Sequence, residues 1–351
     1  MRNEEAAPGG GVGAAFILPL DGEESLAGRN ENSVGRGPLS FVNTDAAIAR
    51  SVMVEGPGSA CVIRPIRGLQ PGHTTTRRQG SGAGIMGGVP DRSSFRRRVL
   101  AGDTLLGAFV GLGSPPAAEI VGRAGVDWAI VDLEHGFGTE GELVATLHAL
   151  ETTGTAALVR PQSTERLRIG RALDLGAAGV MIPRLETASE VREAVSYLRF
   201  PPAGGRGVAL LTRGAGLGAV AHGGVAALND GILGIFQVES GLAVENAREI
   251  AAIDGVDVLF VGPADLSHSL GIPGQFDAPA YRDAMERVVA ACREAGKAAG
   301  ILLYGTAALR DHLDLGFRFV GLGSDAGWLV DGARAALKSG REISAPAGVA
   351  T

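Results

Sequence analysis

Short runs of aliphatic and β-branched residues alternate with amphipathic stretches from Ser94 onward, at a repeat of about 25 to 35 residues. The runs are short enough to be buried strands, and the stretches between them have the apolar spacing of helices. Eight runs predict strands: 107–112, 127–134, 156–160, 179–183, 232–239, 256–262, 298–304 and 319–323. This alternation is typical of an α/β fold with a parallel sheet.

Six amphipathic stretches predict helices between these strands: 140–151, 165–175, 188–198, 244–253, 280–295 and 307–315. Three of them end immediately before a glycine, at Gly176, Gly296 and Gly316, which is a common helix stop. Eight strand–helix units in about 235 residues predict a single (β/α)8 TIM barrel, whose usual size is about 250 residues.

The remaining segments carry no such pattern. Residues 1–93 lack sustained periodicity and contain nine Arg and nine Asp plus Glu, so we expect a low-complexity, disordered extension. An over-extended gene start, with Met86 near the true one, is the alternative. We place the barrel at 94–340 and a flexible tail at 341–351. The Gly-rich stretch 201–230 is long enough to predict a functional loop or a subunit contact.

Composition narrows the possible partners. The formal net charge is −6 and no basic stripe is present, which argues against nucleic acid as a partner. No apolar run approaches the ~20 residues of a spanning helix, so no membrane partner is expected. Two cysteines and the lack of a secretory signal favour a reducing, cytoplasmic location.

Acidic residues follow the fifth and sixth predicted strands. In a TIM barrel, reactive side chains lie at the carboxyl-terminal ends of strands. Glu239 and Asp265 occupy such positions and offer hard oxygen ligands for a divalent metal cation. The alternative is that each carboxylate only caps the helix that follows it.

A second group of polar residues follows the second and third strands. His135 comes after Asp132 and Glu134, and an aspartate near an imidazole would favour a general base. Arg160 suits a carboxylate or enolate substrate, although a structural salt bridge to Glu134 or Asp132 is the alternative. Gln237 could orient the site or be structural.

The Gly111–Gly113 turn and Asp132 also imitate a dinucleotide fingerprint. Pro115 and Pro116 then remove backbone donors that a pyrophosphate would need. A NAD(P)-binding enzyme is therefore a weak alternative.

These motifs, which span roughly 94–336, resemble the HpcH/HpaI family of class II pyruvate aldolases. That family includes 4-hydroxy-2-oxo-heptane-1,7-dioate aldolase and 2-keto-3-deoxy sugar-acid aldolases. The matching stretches are 124–128, 132–135, 159–161, 201–207, 237–239 and 262–267.

The resemblance implies site roles. It makes Glu239 and Asp265 ligands of Mg²⁺, Mn²⁺ or Co²⁺, and it makes His135 with Asp132 the acid/base pair. It makes Arg160 the group that binds pyruvate and stabilises its enolate.

Backbone N–H groups near Ala264 and Asp265 would receive the pyruvate carboxylate, with Gln237 counted among the substrate-binding residues. The resemblance also implies a hexamer in which the last helix packs on a neighbouring subunit.

The expected reaction is reversible cleavage of a 4-hydroxy-2-oxo acid to pyruvate and an aldehyde through a metal-stabilised enolate. Decarboxylation of oxaloacetate at the same site is an alternative. The chain has two lysines, Lys297 before the seventh strand and Lys338 in the C-terminal region, and neither is placed for a Schiff base.

Overall fold

Residues 92–344 are the part of the chain that the computed structural model describes, so most of the predicted extension and tail lies outside the described residues. The strands are β1 (Leu105–Val110), β2 (Trp128–Asp132), β3 (Ala156–Arg160), β4 (Gly179–Ile182), β5 (Leu233–Val238), β6 (Val258–Val261), β7 (Ala298–Leu302) and β8 (Phe319–Ser324). The helices are α1 (Arg92–Leu100), α2 (Pro115–Arg123), α3 (Glu140–Glu151), α4 (Arg166–Asp174), α5 (Ala188–Leu198), α6 (Gly241–Glu245), α7 (Ala247–Ala251), α8 (Pro263–Ser269), α9 (Pro279–Ala295), α10 (Leu309–Leu315) and α11 (Asp325–Ser344).

Each strand pairs in parallel with the next, and β8 pairs with β1. This closed barrel confirms the predicted TIM-barrel fold. The predicted helix 244–253 is instead two short helices, because Asn246 leaves helical geometry at their junction. Its side-chain Nδ2 donates to the carbonyl of Glu186 over 2.8 Å.

Large aromatic rings fill the inside of the barrel. Trp128 stacks on Phe319 with ring centroids 4.3 Å apart and meets Phe260 edge-on at 6.3 Å. A Cβ at Gly107 would lie 2.0 Å from the indole, so the barrel accommodates Trp128 only because residue 107 is glycine. This packed centre is a core and not a channel, which leaves the strand ends for chemistry.

Helix α1 joins this interior core. Phe95 and Val99 are both buried among the barrel's inward-facing residues. Arg96 pairs with the buried carboxylate of Asp257 at 2.9 Å, just ahead of β6. The sequence pattern missed this helix because its three apolar residues, Phe95, Val99 and Leu100, stand among four arginines and two serines.

The Gly-rich stretch 201–230 connects α5 to β5, which places it where the strands begin. Arg206 lies 4.2 Å above the Phe200 ring and pairs with Asp174 at 2.8 Å, while Arg213 pairs with Glu151 at 2.7 Å. Both acidic partners stand at the ends of helices that lead into strands. Within one chain, this stretch is therefore at the end of the barrel opposite the strand carboxyl termini.

Helix α11 leaves the barrel after its first turn. Only Asp325 is buried among its twenty residues. Large apolar side chains are exposed along it: Trp328, Leu329, Val330, Leu337 and Ile343. Across residues 92–344, no helix combines the length and apolar content that crossing a membrane requires.

Candidate active site

The polar groups predicted from strand ends lie at the carboxyl-terminal end of the barrel. Asp132 is the last residue of β2 and Arg160 the last of β3, and the two are direct partners in the strand register. Glu239 follows β5, and Asp265 lies in the first turn after β6. Parallel strands thus bring residues that are far apart in the sequence to one edge.

Arg160 is the centre of a buried ion-pair network. Its Nε and Nη2 donate to Asp132 over 2.9 and 2.6 Å, and Nη1 lies 3.1 Å from Glu134 Oε2. The guanidinium is also 5.2 Å from the centre of the Phe109 ring. Burial opposes the charge, but the Asp132 hydrogen bonds and the nearby carboxylates raise the pKa of Arg160. Arg160 is therefore a fixed, permanent cation.

His135 lies at the exposed rim of this network. Its ring is 65% exposed, and Nε2 is 3.8 Å from Glu134 Oε2. Asp132 Oδ1 accepts the backbone N–H groups of Glu134 and His135 over 3.1 and 3.3 Å. Asp132 thus holds the chain that carries the imidazole, whereas Glu134 is the carboxylate nearest the ring. The acid/base role of His135 with Asp132 stays a prediction.

Gln237 links the arginine network to the predicted metal ligands. Its Nε2 donates to Glu239 Oε1 over 2.6 Å, and its Oε1 accepts from Arg160 Nη1 over 3.4 Å. Gly262 makes room for the same carboxylate, because a Cβ there would lie 2.6 Å from Glu239 Oε1. The hydrogen bond from Gln237 therefore positions the Glu239 carboxylate, and the missing side chain at Gly262 leaves space for it.

Glu239 and Asp265 form an acidic pair. Burial, followed by the charges of Asp265 and Glu134, raises the pKa of Glu239 to about 7. Arg160 and the backbone N–H of Arg184 only partly offset this effect. A cation bound between Glu239 and Asp265 would relieve the repulsion between their carboxylates.

The two carboxylates of Glu239 and Asp265 fit a hard divalent ion if water and substrate supply the remaining oxygen ligands. Residues 92–344 contain no group of three or more His, Cys, Asp or Glu side chains placed to hold a metal. Mg²⁺ in proteins is commonly held by one or two carboxylates, with water and substrate supplying the other oxygens. Glu239 and Asp265 match that arrangement and leave positions open for a 2-oxo acid.

Ala264 and Asp265 belong to the first turn of α8, where Pro263 is the first helical residue. Backbone N–H groups in a first turn have no partner within their own helix. Their predicted contact with a substrate carboxylate stays a prediction.

Two residues at this end were missed by the sequence reasoning. Arg184 comes two residues after β4, and applying the strand-end rule to the fourth strand would have found it. Asp325 is buried at the start of α11, and its two oxygens accept the N–H groups of Gly111 and Leu112 over 2.9 and 3.1 Å. No local motif marks Asp325, because its partners lie more than 200 positions away in the chain.

The Gly111–Gly113 turn is thus bound by a carboxylate of the protein itself. The strands around it close into a barrel, so the Rossmann sheet that a dinucleotide fingerprint requires is absent from residues 92–344.

A family model described as HpcH/HpaI aldolase/citrate lyase matches residues 105–332. The chain belongs to this family. The expectation drawn from the sequence motifs is confirmed.

Relatives with known names agree with this assignment. The chain is 38% identical over 253 residues to a hydroxypyruvate/pyruvate aldolase of Paraburkholderia phytofirmans, covering 70% of this chain and 97% of the relative. It is 35% identical over 245 residues to a 4-hydroxy-2-oxo-heptane-1,7-dioate aldolase of Salmonella arizonae, covering 70% and 93%.

A solved structure of an HpcH/HpaI aldolase/citrate lyase family protein from Burkholderia cenocepacia is 38% identical to this chain. It superimposes with a TM-score of 0.68, and the match covers 71% of this chain and 99% of that one. This HpcH/HpaI protein is therefore an enzyme of the aldolase class, a carbon–carbon lyase. The substrates named for its relatives differ from one another.

Proposed function

We propose that this HpcH/HpaI enzyme reversibly cleaves a 4-hydroxy-2-oxo acid to pyruvate and an aldehyde with the help of a divalent metal cation. The observation that carries the proposal is the juxtaposition of the Glu239–Asp265 pair with the buried Arg160 network through Gln237. A cation site and a fixed guanidinium side by side suit a substrate that develops negative charge on a 2-oxo acid.

Glu239 and Asp265 would hold the metal, be it Mg²⁺, Mn²⁺ or Co²⁺. When bound, the cation supplies Lewis-acid polarisation of the 2-oxo acid's carbonyl group. Gln237 keeps Glu239 in place, and Gly262 keeps the space beside it open.

Arg160 would donate to the oxygen on which charge develops as the carbon–carbon bond breaks. Asp132 and Glu134 fix the guanidinium before substrate arrives, so little reorganisation is needed during the reaction. His135 would remove the proton from the 4-hydroxyl group, and its exposed ring is open to the incoming substrate. N–H groups of Ala264 and Asp265 would bind the substrate carboxylate.

A Schiff-base route is the main mechanistic rival. It needs a lysine at the site, and neither Lys297, directly before β7, nor Lys338, on α11, borders the cavity at Glu239.

The exposed apolar face of α11 further supports assembly of the enzyme as a homo-oligomer, with a hexamer as the expected form.

The test is a pyruvate-release assay on a panel of 4-hydroxy-2-oxo acids with Mg²⁺, Mn²⁺ or Co²⁺, before and after chelation. We expect turnover that falls at least a hundredfold without metal and in Asp265→Asn, but not in Glu286→Gln, an exposed carboxylate on α9. Full activity after chelation contradicts the metal route. Turnover of oxaloacetate alone would identify a decarboxylase instead.

A further inference from the structure

A cavity of about 370 Å³ lies beside Glu239 and Asp265. It extends over the loops that follow β4, β5 and β6. Its lining residues are Arg184, Leu185, Glu186, Glu239, Ser240, Ala243, Asp265 and Ser269. A substrate whose 2-oxo acid end sits at Glu239 and Asp265 has this space available for the rest of its length.

Among the described residues, Arg184 is the only one with a cationic side chain that lines this cavity. The residue is exposed, and its guanidinium forms no hydrogen bond or ion pair with any residue of the described part of the chain. Three carboxylates share the lining, yet none of Glu186, Glu239 and Asp265 forms an ion pair with it. Its hydrogen-bond donors are therefore available to a ligand.

The backbone of Arg184 is fixed in an uncommon conformation. Its φ of 57° lies in the left-handed region, which a residue other than glycine rarely adopts and which is often retained at functional sites. The backbone N–H of Arg184 lies near Glu239 and favours the charged form of that carboxylate, which lowers its pKa. Arg184 thus lines the same cavity as the predicted metal ligands Glu239 and Asp265.

We propose that Arg184 is a specificity-determining residue that binds a carboxylate at the far end of the substrate. The inference rests on the proposed function, since it assumes that the 2-oxo acid end binds at Glu239 and Asp265. A guanidinium pairs with a carboxylate through two parallel hydrogen bonds, which favours this group over a hydroxyl or an alkyl end. The enzyme then prefers 2-oxo acids that carry a second carboxylate.

The test measures binding without turnover. Calorimetry with Mg²⁺ present compares 2-oxoadipate with 2-oxohexanoate, and 2-oxoglutarate with 2-oxopentanoate. The members of each pair match in chain length and differ in the terminal carboxylate, and none has the 4-hydroxyl group that cleavage requires. The variants are Arg184→Met, Arg184→Lys and Arg192→Met. Arg192 is an exposed arginine on α5 that has no ion-pair partner within residues 92–344.

We expect the wild-type enzyme to bind the dicarboxylate of a pair about tenfold more tightly. Arg184→Met removes that preference, Arg184→Lys keeps part of it, and Arg192→Met leaves it unchanged. Thermal unfolding of each variant verifies that the fold is intact.

Two results overturn the inference. One is a wild-type enzyme that shows no preference for the second carboxylate. The other is an Arg184→Met variant that weakens both members of a pair equally, which would mean that Arg184 only balances the charge of the acidic lining. Failure of the proposed function is a separate result: wild-type enzyme then releases no pyruvate from any 4-hydroxy-2-oxo acid, whatever the binding data show.

Discussion

Arg160 shows how strongly burial changes what one residue does. Its guanidinium is nearly inaccessible and contacts Asp132, Glu134 and Gln237, so three side chains determine where its positive charge lies. An exposed arginine with the same neighbours would gain little from them, because water screens surface pairs. The energetic consequence of removing a partner is therefore large for this arginine.

Replacing Asp132 by Asn should destabilise the fold by about 3 kcal/mol, because a buried guanidinium loses its bidentate partner. Urea unfolding measures this change, and pyruvate release should fall at the same time. Asp254→Asn is the matched control: Asp254 pairs with Arg199 at 2.7 Å but is 85% exposed, so its loss should cost less than about 1 kcal/mol. Equal effects of the two substitutions would contradict the importance of burial.

Glu239 should limit the stability of the metal-free enzyme. Its pKa rises from 4.5 to about 7 on folding, first because of burial, so the folded state disfavours the charged form. The contribution of Glu239 to the free energy of unfolding should therefore be most favourable below pH 4.5, fall as pH rises toward 7, and stay low above that.

Glu239→Gln removes this charge. The chelated variant should exceed the chelated wild type by on the order of 2 kcal/mol above neutral pH and match it in acid. Denaturant unfolding at several pH values measures the difference. Mg²⁺ should raise the melting temperature of the wild type but not of the variant. A variant that is less stable at every pH would show that Glu239 stabilises the fold in its charged form.

At the scale of elements, the first turn of α11 is tied to the loop that carries His135. Asp325 accepts the N–H groups of Gly111 and Leu112, and the carbonyl of Gly111 accepts the N–H of Phe137 over 2.7 Å. Two loops from neighbouring strands are thus bound to each other and to the start of the last helix.

Asp325→Asn should loosen both loops, because an amide has one acceptor oxygen where the carboxylate has two. We expect a loss of about 1 to 2 kcal/mol in stability and faster amide hydrogen exchange at residues 111–113 and 135–138. Hydrogen exchange followed by mass spectrometry provides the readout. Exchange that rises equally throughout the barrel would show global destabilisation and not a local tie.

At the scale of the whole molecule, α11 projects an apolar face that its own barrel does not cover. Leu337 and Ile343 are 59% and 82% exposed, and Leu329 is 63% exposed. Such contiguous apolar surface on a helix is typical of an interface with another chain. Contacts between copies of this chain would bury it.

Leu337→Glu should weaken the assembly, because a charge would be buried in the interface. Light scattering after size-exclusion chromatography should show a smaller species than the wild type at equal concentration. Leu167→Glu, a change at a 71% exposed leucine on α4, should leave the mass unchanged. A wild-type protein that is monomeric at all concentrations would contradict the assembly.

Alternating runs and the stop signals at Gly176, Gly296 and Gly316 were enough to predict the barrel, because a parallel sheet buried on both faces requires continuous apolar strands. The rule that parallel strands bring their carboxyl ends to one edge of the barrel identified a set of polar residues there. These residues are Asp132, Arg160, Glu239 and Asp265. Helix α1 escaped prediction, since Phe95 and Val99 are buried against barrel residues far along the chain, such as Phe319.

The sequence by itself determined the fold class and which polar residues gather at one end of the barrel, since both depend on local periodicity and on the parallel direction of the strands. Only the tertiary structure decided which of those groups touch. It paired Asp132 with Arg160, placed Glu134 nearest the imidazole, and opened a cavity between Glu239 and Arg184. Such contacts form through space between strands far apart in the chain, and no local pattern encodes those distances.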